Sequence, residues 1–167
     1  MPRRTIIATA CTAMLAVACV IPIAAASGAT HVQAIHTALK VLGQAKPVCH
    51  AGVCIIHNHG NGTMSGFGDV TFTTTITDDQ TSPSPCPNGS WVPRLRRTIH
   101  TSKGNLILNE AGLVCTHPNI GPRVDLVWVA DGTSSTGAFH HATGTGNDHA
   151  YLARNTAVQT GQITLSS

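Results

Sequence analysis

Aromatic side chains are scarce: Phe, Trp and Tyr together supply six of 167 residues. A core must then be built from Val, Ile, Leu and Ala, helped by Thr-rich strands. Charge is scarce as well, at 10% of residues and a formal net +3. Arg3 and Arg4 stand at the extreme N-terminus, so ten basic residues less two leaves eight against seven acidic ones. A chain this close to neutral lacks the electrostatic footprint of a nucleic-acid binder, and none is expected as a partner. Also missing are a Gly-x-Ser-x-Gly nucleophile elbow and a Walker-type phosphate loop, so nucleophilic hydrolysis and nucleotide binding have no specific support. The seven acids, Asp69, Asp78, Asp79, Glu110, Asp125, Asp131 and Asp148, sit mostly beside turn residues, where Asp bonds local backbone amides. No pair of them is evidently catalytic, no catalytic residue is assigned, and no cofactor is expected.

What is present is enough for one domain: 42% of residues are hydrophobic, which describes a foldable chain rather than a disordered one. Residues 1–29 have the three parts of a secretory signal. Arg3 and Arg4 give the positive start, Ile6 to Ile23 the apolar run, and Ala24-Ala25-Ala26 the small residues near a cleavage point. Cleavage is expected after Ala26 or Ala29. Pro22 and the Ala-x-Ala spacing oppose an uncleaved anchor, so the expectation is a secreted protein with no stable membrane insertion after cleavage.

Residues 30–47 place Val32, Ile35, Ala38, Leu39 and Leu42 at helical spacing before Lys46-Pro47, which predicts a short helix or a disordered extension. From Val48 to the end at 167 the period changes to two, with Gly, Asn and Pro as punctuation, the pattern of an all-β domain. Phe67 to Thr77 is the clearest strand, with Val70, Phe72, Thr74 and Ile76 on one face. Val92 to Thr101 is another, and Asn105–Asn109 and Leu113–His117 read as a hairpin about Glu110-Ala111-Gly112. Val124 to Ala130, Gly137 to Gly146 and Ala157 to Leu165 follow. Strands this numerous, each with one apolar face, predict closure into an antiparallel eight-stranded barrel, which removes exposed sheet edges. A two-sheet β-sandwich is the alternative.

In an oxidising compartment the four cysteines beyond the leader allow three pairings. Cys49 with Cys54 and Cys86 with Cys115 are predicted: the first closes a tight loop before a strand, the second staples the Pro-rich loop at Ser82 to Gly89. Histidine is abundant, at ten residues, and His57-x-His59 puts two imidazoles on one side of a strand. Oxidised cysteines nearby make poor ligands, so no metal is expected and His57 and His59 are weak candidates only. Arg94, Arg96 and Arg97 form a basic cluster that reads as a solvated face.

Two stretches resemble a known family. Gly132-Thr133 and Thr136-Gly137-Ala138-Phe139-His140-His141-Ala142-Thr143-Gly144 is similar to the Gly-Thr-Gly-x-Phe-x-x-Ala-x-Gly signature of the allene oxide cyclase and dirigent β-barrel superfamily, with Ser134-Ser135 inserted. Gly60-Asn61-Gly62-Thr63-Met64-Ser65-Gly66-Phe67-Gly68-Asp69-Val70 resembles the Gly-rich hairpin these barrels use early in the chain. The resemblance covers about Gly60 to Leu165 and is closest to small secreted bacterial members. It implies a calycin-like barrel whose interior holds a small apolar molecule, here lined by some of Phe72, Ile76, Leu95, Ile99, Trp128 and Phe139. The plant members cyclise a reactive oxylipin epoxide or steer phenoxy-radical coupling, but none of their catalytic residues maps onto this chain. A non-catalytic binding or interaction module for a small apolar ligand is therefore expected, with an isomerase or cyclase working inside the barrel as the alternative.

Overall fold

The structure is a computed structural model that describes residues 29–86 and 88–166. Of the leader expected over residues 1–29, residues 1–28 lie outside the described residues. Nine strands follow in order: β1 (Thr30–Gln44), β2 (Val48–His50), β3 (Val53–Met64), β4 (Gly68–Asp79), β5 (Ser90–Thr101), β6 (Gly104–His117), β7 (Gly121–Ala130), β8 (Thr143–Tyr151) and β9 (Thr156–Ser166). Every pairing is antiparallel, running β1-β9-β8-β7-β6-β5-β4-β3, and β1 pairs again with β3 to close an eight-stranded barrel. The short β2 lies outside it, paired only with β3. Closure leaves the eight barrel strands without a free edge, as expected for a chain with so many half-apolar strands.

Residues 30–44 are neither helix nor disordered extension but the strand that completes the barrel. Ile35, Thr37 and Leu39 point inward at period two, and β1 pairs with β9 over eleven positions and with β3 over seven. The helical spacing read there loses to sheet pairing on both sides, which satisfies the backbone while burying the same Ile35 and Leu39. Glu110-Ala111-Gly112 is likewise no turn. It lies within the continuous strand β6, and its inward row is Leu106, Leu108, Glu110, Gly112 and Val114. The stretch expected as a strand from Gly137 is instead a loop with one 3₁₀ turn at Gly137–Phe139, and β8 begins at Thr143.

That loop, residues 131–142, plugs one end of the barrel. Asp131 Oδ1 accepts from the Thr133 hydroxyl at 2.8 Å and the Ser134 amide at 3.1 Å, and these bonds hold its carboxyl well below the usual range. The Ser135 hydroxyl accepts from the Ile107 amide at 2.9 Å and donates to the Asp131 carbonyl at 2.8 Å, so the inserted Ser134-Ser135 fastens the plug to β6. Phe139 drops into the barrel and meets Phe67 with ring centroids 4.8 Å apart. Above it, Ile35, Met64, Ile99, Leu106, Leu108 and Ile163 fill the closed half.

Two large aromatics fit because glycine stands opposite them. Phe72 is the register partner of Gly60, and Trp128 of Gly146, whose next neighbour across β9 is Gly161. A Cβ on Gly60 would strike the Phe72 ring, and one on Gly146 or Gly161 would strike the Trp128 ring. With so few aromatics, the chain seats these two flat on bare backbone, the arrangement by which a ring covers a strand glycine.

Both predicted disulfides are formed: Cys49–Cys54 ties β2 to β3 and Cys86–Cys115 ties the β4–β5 loop to β6.

A half-open barrel with a buried ionic floor

The end of the barrel opposite the plug is not filled. A cavity of about 320 Å³ opens there, within the size range of small-molecule sites. Ile76, Val92, Leu95, Val114, Val124 and Leu126 pack together as one apolar stretch of its wall. Phe72, Ile76 and Leu95, expected as lining residues, are in that wall. Ile99, Trp128 and Phe139 are not: they belong to the packed half, where Trp128 is spent on covering Gly146 and Gly161 and Phe139 on the plug. Trp128 also donates from its indole to the Asn147 carbonyl at 3.2 Å, which fixes the ring in the wall of the packed half.

Between the two halves lies an ionic floor. Arg97 donates from Nε to Glu110 Oε1 at 2.8 Å and from Nη2 to Glu110 Oε2 at 3.3 Å, and Nη2 also bonds Asp148 Oδ2. Gln159 Nε2 donates to Glu110 Oε1 at 3.1 Å, and the Thr37 hydroxyl donates to Gln159 Oε1 at 3.1 Å. The side chains of Glu110 and Asp148 are fully enclosed, and that of Arg97 is 4% exposed, at the bottom of the cavity. Its guanidinium sits 5.6 Å from the centroid of the Phe72 ring, so part of the desolvation is offset by the ring's negative face.

Burial pushes the Glu110 carboxyl up to about 8, against the pull of Arg97, and the charge of Asp148 adds to the rise. The rise favours the protonated form of Glu110, which lowers the number of like charges buried beside Arg97. That matters because each uncompensated buried charge costs several kcal/mol by order of magnitude. Burial opposes the charge on Arg97 too, but Asp148 and Glu110 outweigh it and hold the guanidinium charged. Asp148 Oδ1 has no hydrogen-bond partner among the described residues, and Glu110 lies within hydrogen-bonding reach of Asp148, so a proton on Glu110 is suited to supplying one.

Arg97 does not share the solvated face of Arg94 and Arg96, and neither Glu110 nor Asp148 stands beside a turn: all three point into the barrel. The signal that places them correctly is parity. Arg97 shares its face with Leu95 and Ile99, Glu110 with Leu106 and Leu108, and Asp148 with Gly144 and Gly146. Arg96 points outward as read, pairing with Asp131 at 3.1 Å on the surface.

One side of the cavity carries a polar row. Gln44, Asn58, Thr74 and Arg97 are successive register partners across β1, β3, β4 and β5, and all four line the cavity. Asn58 Oδ1 and Thr74 Oγ1 have no hydrogen-bond partner among the described residues. Asp78, at the mouth, is engaged by Ser90 at 2.6 Å and Gln80 at 3.0 Å.

The histidines lie elsewhere. His57 and His59 share the outer face of β3, as their spacing required, and His57 Nδ1 is 3.1 Å from the Thr75 hydroxyl. Cys49 and Cys54 nearby are joined to each other. Among the described residues there is no group of three or more His, Cys, Asp or Glu placed to hold a metal ion. His140 and His141 are both exposed on the plug loop, outside the barrel. A second charged cluster, on the outer face, joins Asp125 to Arg123 at 2.8 Å and to His149 at 2.5 Å.

The fold and site define a closed antiparallel β-barrel with one packed half and one open half. No family model matches the chain, and no curated protein matches it.

Proposed function

We propose that this chain is a secreted β-barrel of the allene oxide cyclase and dirigent-like kind that holds a small, mostly apolar ligand in its open half and performs no chemistry on it. The observation that carries the reading is the composition of the cavity: apolar on most of its wall, with Arg97 the one charged group at its floor. Arginine stays protonated, so it can donate hydrogen bonds but cannot serve as a proton-transfer group. Among the carboxyls that could do so, Glu110 and Asp148 are sealed behind it, and Asp78, at the mouth, is held by Ser90 and Gln80. Two disulfides fit an oxidising compartment and support the secreted reading. Among the described residues no helix is long and apolar enough to cross a membrane, a statement that does not bear on strands.

The test is a titration with the apolar fluorophore N-phenyl-1-naphthylamine. Saturable one-to-one binding that is lost in Val92→Trp, which fills the cavity, supports the reading; binding that survives that variant counts against it. The alternative, an isomerase or cyclase, draws on the raised Glu110 carboxyl in the floor behind Arg97. Turnover of an apolar epoxide that disappears in Glu110→Gln would decide for it.

A further inference from the structure

The polar row says more about the ligand than the apolar wall does. We propose that the cavity selects a neutral molecule carrying a carbonyl oxygen and, a few carbons away, a hydroxyl, with the rest of its surface apolar; this rests on the binding reading above. Arg97 uses Nε and Nη2 on Glu110 and Asp148, which leaves Nη1 without a hydrogen-bond partner among the described residues. Its charge is already met by the buried carboxyls of Glu110 and Asp148. An anionic ligand would bring a further negative charge into a low-dielectric site that has one cation to offer, whereas a carbonyl accepts from Nη1 and adds no charge.

Next along the row stand Thr74 and Asn58, one and two strands from Arg97 and hence about 5 and 10 Å away around the barrel wall. Each holds a buried polar atom with no partner, and such an atom costs free energy until one is supplied. A hydroxyl both donates and accepts, so a single ligand hydroxyl can serve the Thr74 hydroxyl and the Asn58 amide together, and a half-turn about Asn58 χ2 exchanges which of its amide atoms is presented. The wall facing Arg97 and Thr74, made by Val92, Val114, Val124 and Leu126, carries no polar side chain, and Asp78 and Ser90 at the mouth are bonded to each other. The two ligand oxygens are therefore expected on the edge that meets the row.

Three rigid probes of similar size separate these claims by calorimetry at neutral pH: camphor, with a carbonyl; 5-exo-hydroxycamphor, with carbonyl and hydroxyl; and ketopinic acid, with carbonyl and carboxylate. Wild-type protein is expected to bind hydroxycamphor about tenfold more tightly than camphor, the worth of one good hydrogen bond, and ketopinic acid more weakly than camphor. Thr74→Val, nearly the same shape, and Asn58→Leu should each lower the ratio of hydroxycamphor to camphor affinity, and the double variant should bring that ratio to about one. Equal affinity for camphor and hydroxycamphor, a preference that survives in the double variant, or tighter binding of ketopinic acid overturns the proposal. If N-phenyl-1-naphthylamine binds saturably while hydroxycamphor shows no advantage, the ligand class is wrong and the binding reading stands. If none of the four compounds binds, both fall.

Discussion

Arg97 and Glu110 meet inside the barrel through two hydrogen bonds, at 2.8 and 3.3 Å, and neither side chain is more than 4% exposed. The pair sits where the packed half ends and the cavity begins, so it seals the first and forms the floor of the second. Removing the cation alone would strand Asp148, whose carboxylate has no other positive partner among the described residues. Arg97→Met is expected to cost about 3–5 kcal/mol of unfolding free energy in urea, the usual penalty for breaking a buried pair from one side. A loss below about 1 kcal/mol would mean that the floor contributes little to holding the barrel closed.

Glu110 also predicts a pH dependence. Its carboxyl is raised from 4.5 to about 8 in the folded protein, so between those values the native state binds more protons than the unfolded chain. Stability from this group is greatest below pH 4.5 and falls as pH rises through about 8. Asp125, whose carboxyl is lowered by its hydrogen bonds to Arg123 and His149 in excess of the effect of burial, contributes in the opposite sense, and only at acid pH. Melting temperatures of wild type and Glu110→Gln measured from pH 5 to 9 should therefore diverge in slope, the wild type declining more steeply toward alkaline pH. Parallel curves would show that Glu110 is ionised throughout.

Gly146 is required by Trp128. An added Cβ would collide with both the indole ring and the Thr160 carbonyl. Gly146→Ala should cost about 1–3 kcal/mol through overpacking and alter the near-ultraviolet circular dichroism of Trp128. A variant as stable as wild type would show that the ring does not lie on that glycine.

The disulfides should differ in worth because their loops do, with sequence separations of 5 and 29. On chain entropy, replacing Cys49 and Cys54 by Ser is expected to cost about 2 kcal/mol, and replacing Cys86 and Cys115 about 3.6 kcal/mol. Equilibrium unfolding of the two double variants checks the order.

The barrel was legible because period two is visible wherever one face of a strand is apolar: Val70, Phe72, Thr74 and Ile76 point inward as read, and so do Leu126 and Trp128. Three things hid the site. In β1 the inward Ile35, Thr37 and Leu39 share their stretch with Val32, Ala38 and Leu42, so the apolar set also satisfied a helix. At Glu110 and Asp148 the inward residue is charged, which breaks the apolar alternation at the very positions that matter. Arg97 differs from its outward neighbours Arg94 and Arg96 only in parity, and the pairing that identifies it, to Glu110 and Asp148, joins strands 13 and 51 residues apart. Which half of the barrel stays open was beyond the sequence, since it depends on a loop delivering Phe139 to one end only.

The division of the barrel into a packed half and a binding half is tested most directly by methyl NMR during titration with N-phenyl-1-naphthylamine. Shift changes should be confined to Val92, Leu95, Val114, Val124 and Leu126, saturate at one equivalent, and leave Ile99, Leu106, Leu108 and Ile163 unmoved. Changes centred on the exposed outer residues Val127 and Val129, or a response that never saturates, would contradict a ligand site inside the barrel.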